Sequence, residues 1–282
     1  MKEGRRRGGR KSSDGGVAVR NRLAALFSRA RKSIRDAVYP ENITCDVCGA
    51  ELVAPTRYNL CAACTEEMPF VRGRRCLNCG LPVNDEADWC LRCMKTDSAY
   101  LLNRSPLVYA GKARALVYSL KFGGKKYIAE LLGAMMSDTF LTCGMEGEII
   151  VPVPMTEKDL KKRGFNQSEL LAREIGARLG IAVLPALVKT RDTAPQKELS
   201  GRERANNLKG CFTAAFSEYL AGRKILLVDD VFTTGATADE CARTLLKAGA
   251  ASVSVLTAAV TKPAPAVEKG DGTTAEVCDD VI

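Results

Sequence analysis

Beyond about residue 98, apolar positions fall into short continuous runs separated by stretches of helical spacing. The runs at 107–110, 148–153, 183–188, 224–228 and 252–258 predict strands, and the periodic stretches at 113–121, 127–141, 167–179 and 237–248 predict helices. Strand and helix alternating in this way predict an α/β domain over 99–262, with a parallel sheet and helices on both faces. Ahead of it the pattern changes twice. Residues 41–98 have little periodicity. Residues 17–38 place Val19, Leu23, Leu26, Phe27, Ala30, Ile34 and Ala37 at helical spacing with Arg20, Arg22, Arg29, Arg31, Lys32 and Arg35 mostly between them, which predicts a basic amphipathic helix ending at Tyr39-Pro40. The stretch 263–282, with early prolines and then Gly, Asp and Thr, reads as a tail.

The chain has 282 residues and a formal charge of +9, but the charge is concentrated. The first 35 residues carry 12 Lys/Arg against Glu3 and Asp14, so the rest is close to neutral. The run Arg5, Arg6, Arg7, Arg10, Lys11 is expected to be a disordered arm over 1–40 together with the helix, either solubilising or attracted to phosphate backbones. No run of 18 apolar residues occurs, so no membrane span is expected, and arginines interrupt any secretory h-region. The expected setting is cytoplasmic.

Twelve cysteines and no histidine narrow the chemistry further. Ser-His-Asp and Cys-His nucleophiles are excluded, as are His-ligated metals. Eight of the cysteines form four CxxC pairs: Cys45/Cys48, Cys61/Cys64, Cys76/Cys79 and Cys90/Cys93. Twelve residues separate the first two pairs and ten the last two. Each CxxC turn presents two sulfurs on one side of a knuckle, and two knuckles complete a tetrahedron about Zn²⁺. Gly49 and Gly80 follow their knuckles where a left-handed residue is useful. Two four-cysteine zinc sites are expected over 41–98, paired in sequence or interleaved; iron–sulfur ligation uses the same donors, and disulfides do not suit a cytosolic setting. So few aromatics (Tyr58, Phe70, Trp89) leave most of the folding energy to the metal. Cys143, Cys211, Cys241 and Cys278 lack the spacing and are expected to be ordinary small residues.

The sharpest chemical signal is KILLVDDVFTTGAT at 224–237. An apolar strand delivers Asp229 and Asp230 to its carboxyl end, where open α/β sheets bind ligands. Val231 and Phe232 lead into Thr233, Thr234, Gly235, Ala236 and Thr237, a small hydroxylated loop opening a helix, whose N–H groups suit a phosphate monoester. The carboxylates can accept from vicinal ribose hydroxyls. No GK[ST] follows, so this is not a Walker A loop.

This stretch resembles the 5-phosphoribosyl-1-pyrophosphate (PRPP) motif of type I phosphoribosyltransferases. Further motifs resemble the ComF competence-protein group: Val151-Pro152-Val153-Pro154 with Arg163-Gly164-Phe165-Asn166-Gln167, the set Tyr109, Gly111, Arg114, Leu120-Lys121-Phe122 and Gly124, and the stretch Thr193-Ala194-Pro195-Gln196, Leu199, Arg204, Asn207, all behind four CxxC knuckles. The chain departs from that pattern at Thr156, where His is common, at Asp159, where Arg is common, and at Val260, where the strand often closes on Arg. The resemblance implies a type I phosphoribosyltransferase-like sheet behind a double zinc ribbon, with Mg²⁺ accompanying PRPP. It implies that Asp229 and Asp230 hold the ribose, that Val231 and Thr233–Thr237 hold the 5-phosphate, and that Arg163 supplies a cation near the pyrophosphate. It further implies a lid over 189–207, with Arg202, Arg204 and Lys209 as pyrophosphate contacts. Two functional classes follow: a phosphoribosyltransferase acting on PRPP or another phosphorylated ribose with an unassigned acceptor, or a DNA-uptake factor. The second would bind single-stranded DNA through the basic arm and zinc module, beside a protein partner.

Overall fold

The computed structural model describes residues 44–84, 86–191 and 208–262. The basic arm, its amphipathic helix, the tail, Cys278, Arg202 and Arg204 lie outside the described residues. The chain divides into two compact units, a short one ending at Cys61 and a large one from Ala62 onward.

In the short unit a bridge between Thr44 and Glu51 closes the first knuckle. Within it, Cys45 N–H donates to the Ala50 carbonyl at 2.7 Å and Gly49 N–H to the Cys45 carbonyl at 2.8 Å. The large unit opens with helix α1, Ala62–Glu66, and repeats the device. There Arg75 bridges Pro82, Cys76 N–H reaches the Leu81 carbonyl at 2.8 Å, and Gly80 N–H reaches the Cys76 carbonyl at 3.0 Å. Gly80 is left-handed at φ +73°, and a Cβ there would sit 2.6 Å from the Asn103 carbonyl oxygen, so the knuckle needs glycine twice over.

After the knuckles come strands β1 (Asn103–Arg104) and β2 (Leu107–Val108), then helices α2 (Gly111–Phe122) and α3 (Ile128–Thr142). Strand β3 (Ile149–Pro152) leads to α4 (Glu157–Arg163) and α5 (Gln167–Leu179). Short strands β4 (Ala182–Val183), β5 (Leu187–Lys189) and β6 (Phe212–Ala214) precede helix α6 (Ser217–Leu220), strand β7 (Lys224–Phe232), helix α7 (Ala236–Lys247) and strand β8 (Ser252–Val260). The main sheet runs β1-β8-β7-β3-β4, with β2 further along the free edge of β8, and every pairing in it is parallel. On one face Cys241, Ala242 and Leu245 of α7 pack with Ile225, Leu227, Val253 and Val255. Helices α3 and α5 lie against the other. Coverage of both faces explains why Val253 to Val260 are buried without a break.

Two strands differ from expectation. The 183–188 run splits: only Ala182–Val183 joins the parallel sheet, while Leu187–Lys189 pairs antiparallel with Phe212–Ala214. Consecutive apolar residues mark burial, but they do not say which neighbour supplies the hydrogen bonds. The 224–228 strand continues to Phe232, because Asp229, Val231 and Phe232 keep pairing with Thr257, Ala259 and Val260 of β8. Helix α4, with sequence EKDLKKR, has no apolar stripe to reveal it. It starts at Thr156, whose hydroxyl accepts from Asp159 N–H, and stops at left-handed Gly164.

Helix α5 meets β3 and β4 at Gly176, where an added Cβ would lie 2.6 Å from Val183 Cγ2 and 2.8 Å from the Ile181 carbonyl. Helix propensity alone favours alanine there, yet the overpacking outweighs it. Gly176→Ala is expected to destabilise the protein by about 1–3 kcal/mol in urea titrations. A stabilised variant would show that α5 stands further from the sheet.

Candidate phosphoribosyl site and zinc centres

Strand β3 stops at Pro152, opposite Val228, whereas β7 runs four residues further with β8 as its neighbour. That mismatch opens a cleft of about 230 Å³ at the carboxyl end of the sheet. Asp229, Asp230, Val231, Thr233, Gly235 and Thr237 line it, together with Lys121, Gln167 and Thr257.

The two carboxylates face different surroundings. Asp230 is 3 % exposed and pairs with Lys121 Nζ at 2.7 Å through Oδ2, an oxygen that otherwise lacks a hydrogen-bond donor. Burial pulls the Lys121 ammonium down, but the Asp230 charge, the hydrogen bond to Asp230 and the Asp229 charge together hold the lysine above its ordinary value. Asp229 Oδ1 accepts from Ser168 Oγ at 2.8 Å and from Asp230 N–H at 2.9 Å. Burial, followed by the Asp230 charge, pushes Asp229 up from 3.8 to about 7. One lysine therefore faces two carboxylates in the cleft, an arrangement relieved by hydroxyl donors or a cation.

Beyond Phe232 the chain turns through Thr233 and Thr234 to Gly235, left-handed at φ +86°, where α7 begins. A Cβ on Gly235 would lie 2.8 Å from the Phe232 ring and 3.0 Å from Tyr100 Oη. The start of α7 therefore has no room for a side chain at this position. Thr234 and Ala236 line a separate cavity of about 110 Å³ beside Arg92 and Tyr100.

Arg163 is not among the residues lining the cleft. Its guanidinium donates to Gln167 Oε1 and lies over the Phe122 ring, 5.1 Å from the centroid. Gln167 touches the cleft in its place. Asn166 caps α5 by accepting from Ser168 N–H at 3.0 Å while its Nδ2 donates to the Val153 carbonyl at 3.0 Å. The RGFNQ stretch is therefore the hinge that aims Ser168 at Asp229. Lys209 is exposed, and its carbonyl accepts from Arg191 at 2.9 Å. Thr156 and Asp159 form a helix cap, with Thr156 Oγ1 to Asp159 Oδ2 at 3.1 Å, so the acid is spent on α4. Lys121 was visible as a motif residue without a role; Ser168 and Thr257 carried no signal of their own.

The eight knuckle cysteines form two sets, Cys45, Cys48, Cys61, Cys64 and Cys76, Cys79, Cys90, Cys93, each with sulfurs within 4.8 Å of one another. The pairing is sequential. Four mutually close sulfurs bridged by no disulfide are the donor set of structural zinc. Zinc at either site would supply cross-links between knuckles and keep the thiols as thiolates. Cys143 accepts from Arg75, and Cys211 and Cys241 are buried, as ordinary core residues are. Among the described residues no helix is long and apolar enough to cross a membrane.

The cysteine sets agree with a known family. Residues 34–94 match the family described as double zinc ribbon domain. The DNA utilization protein YhgH of Escherichia coli (strain K12) is 33 % identical over 204 residues, 70 % of this chain and 88 % of its own. Competence protein F of Haemophilus influenzae is 30 % identical over 226 residues, 76 % of this chain and 95 % of its own. The solved glutamine PRPP amidotransferase from B. subtilis, complexed with ADP and GMP, overlaps 45 % of this chain and 25 % of its own at 22 % identity and a TM-score of 0.32. A parallel sheet flanked by helices, preceded by two four-cysteine sites, defines a phosphoribosyltransferase-like fold behind a zinc ribbon. Its relatives place it more narrowly. The chain belongs to the ComF family.

The raised Asp229 has a consequence for stability. Well below pH 3.8 this carboxyl is protonated in both folded and unfolded chains, whereas between about 4 and 7 the unfolded chain ionises it and the folded one does not. Its contribution therefore falls as pH rises through that window. Asp229→Asn is expected to raise the urea midpoint at about pH 8 more than at about pH 5. An equal shift at both would mean that Asp229 ionises normally.

Proposed function

We propose that the cleft binds PRPP and that the protein displaces pyrophosphate from it, the acceptor attacking the anomeric carbon as the bond to the pyrophosphate oxygen breaks. The observation that carries this reading is the convergence of Asp229, Asp230, Thr233, Gly235 and Thr237 on one cleft. The ribose 2- and 3-hydroxyls would donate to the two carboxylates, the partners that a crowded acid pair lacks. The 5-phosphate would take the N–H groups and hydroxyls of Thr233, Gly235 and Thr237, with the α7 dipole behind them. Lys121 would hold Asp230 in place through their ion pair, and Ser168 would orient Asp229. Mg²⁺ would be held on the Asp229/Asp230 side together with ligand oxygens, since two carboxylates do not complete its octahedron. It would supply neutralisation of the leaving pyrophosphate. Arg204, Arg202 and Lys209 remain the proposed cations of a closing lid, and Arg163 acts through Gln167.

A second reading has its own observation. Tyr118 and Phe122, exposed at 61 % and 64 %, meet with centroids 5.1 Å apart and rings tilted by 48° at the end of α2. Arg163 covers Phe122, and Lys126 lies over Phe165 at 5.0 Å. Lys125, Lys161 and Lys162 fall in the same two chain segments, 118–127 and 161–165, which hold no acid. Cations interleaved with exposed rings suit unpaired bases and their phosphates. The names of the relatives, a DNA utilization protein and a competence protein, point the same way. We propose this face, with the basic arm and zinc module, as the single-stranded DNA surface of a DNA-uptake factor.

Two experiments test the readings. Calorimetric titration of PRPP with Mg²⁺ into the full, zinc-replete chain should show binding that Asp229→Asn/Asp230→Asn abolishes; unchanged affinity in the double variant would remove the ribose site. Salt-dependent binding of an oligothymidylate should weaken by about 1–3 kcal/mol per ring lost in Phe122→Ala and Phe165→Ala. DNA affinity indifferent to both changes would exclude this face.

A further inference from the structure

The second zinc knuckle does more than precede the α/β domain. Arg92 sits between the ligands Cys90 and Cys93, and its Nη1 donates to the carbonyl of Thr233, in the middle of the loop before α7. The same guanidinium lies against the Cys79 sulfur and over the Phe232 ring, 5.5 Å from its centroid. Tyr100 meets Phe232 edge-on at 6.0 Å and donates from Oη to Asn78 Oδ1, inside the Cys76–Cys79 knuckle, at 3.0 Å. Ala99 N–H donates to Asp239 Oδ1 at 2.6 Å, in the first turn of α7. Four contacts, two of them from Arg92, thus join 92–100, in and just after the second four-cysteine site, to 232–239.

We infer that Arg92 is a positioning residue of the phosphate loop, and that metal in the second four-cysteine site sets the loop's affinity for a phosphate monoester. The inference rests on the PRPP reading of the cleft. A planar trans peptide points its carbonyl and the following N–H in opposite directions. Pinning the Thr233 carbonyl toward the knuckle therefore turns the Thr234 N–H away from it and fixes the entry to Gly235. A guanidinium suits the task because its fork reaches a thiolate and a carbonyl at once, whereas an ammonium makes a single point contact. Thiolates bound to metal keep their charge and their place, so the fork is held from behind only when the site is filled. Emptying the site would free Arg92, Asn78 and Tyr100 together, and the loop would lose its supports on that side.

The test uses the full chain. PRPP with Mg²⁺ is titrated into wild type, Arg92→Gln and Arg92→Lys by calorimetry, with zinc content measured for each. Amide hydrogen exchange is followed over 232–239 in all three, and in wild type stripped of zinc and then reloaded. Arg92→Gln is expected to weaken PRPP binding about ten- to a hundredfold. It should speed exchange across 232–239 while two zinc ions remain bound, and Arg92→Lys should recover only part of either loss. Zinc removal should release the same amides, and reloading should restore them. Wild-type affinity in Arg92→Gln with unchanged exchange would overturn the inference and leave the PRPP reading standing. Absence of PRPP binding by wild type would overturn that reading instead, and the exchange data would still decide the link between knuckle and loop. Protection at 232–239 that survives both zinc removal and Arg92→Gln refutes that link.

Discussion

The parallel ladder between β7 and β8 is the constraint on which the rest of the structure depends. Both strands are nine residues long, and their register runs from Lys224–Ser252 to Phe232–Val260. Strand β3 follows β7 only to Val228. Past that point the β3 side of β7 has no strand, so Asp229 and Asp230 emerge where backbone order is still enforced by β8. The carboxylates are therefore held as rigidly as core residues while one flank stays open. A loop could not hold two like charges side by side with comparable precision.

Holding them has an electrostatic consequence that other elements answer. Lys121 comes from the last turn of α2, Ser168 from the first turn of α5, and Thr257 from the β8 position opposite Asp229. Thr257 is itself held by Ser105 at 2.7 Å and Asn103 at 3.2 Å, and Asn103 Nδ2 donates to the Cys79 carbonyl at 2.9 Å. This buried polar chain connects the cleft wall to the second knuckle through β1, so the two centres share one hydrogen-bonded core. Buried networks of this kind are stabilising only when every member is satisfied.

Much of this was legible from sequence because its chemistry demands local spacing. A zinc knuckle needs its two cysteines a short distance apart, and a phosphate loop needs small residues before a helix. Helix α5 appears at its expected bounds, 167–179, because its stripe of Leu171, Ala172 and Ile175 survives between charged residues. What escaped detection depends on distant partners. The acids of β7 look like a strand end because carboxylates rarely continue a buried ladder, and only the pairing with β8 extends it. Helix α4 shows nothing but charge, and its existence rests on the Thr156 cap and Gly164. Arg163, read as a ligand cation, is committed to Phe122 and Gln167, a contact that only the fold can reveal. Arg92 drew no notice among cysteines, because its role depends on a loop 141 residues away.

The absence of histidine is consistent with this architecture. Displacement at an anomeric carbon asks little of a proton shuttle when the leaving group is a pyrophosphate neutralised by cations. It asks instead for a sugar held in place and for charge arranged in advance. The cleft carries an electrostatic load of its own: burial and the Asp230 charge push Asp229 up to about 7, and the buried Asp230 Oδ2 lacks a donor beyond its lysine. A ligand bringing two hydroxyls and a cation would relieve both at once. The acid that weakens the fold as pH rises would on the proposed reading favour the complex, which is how a binding site retains groups that stability alone would remove.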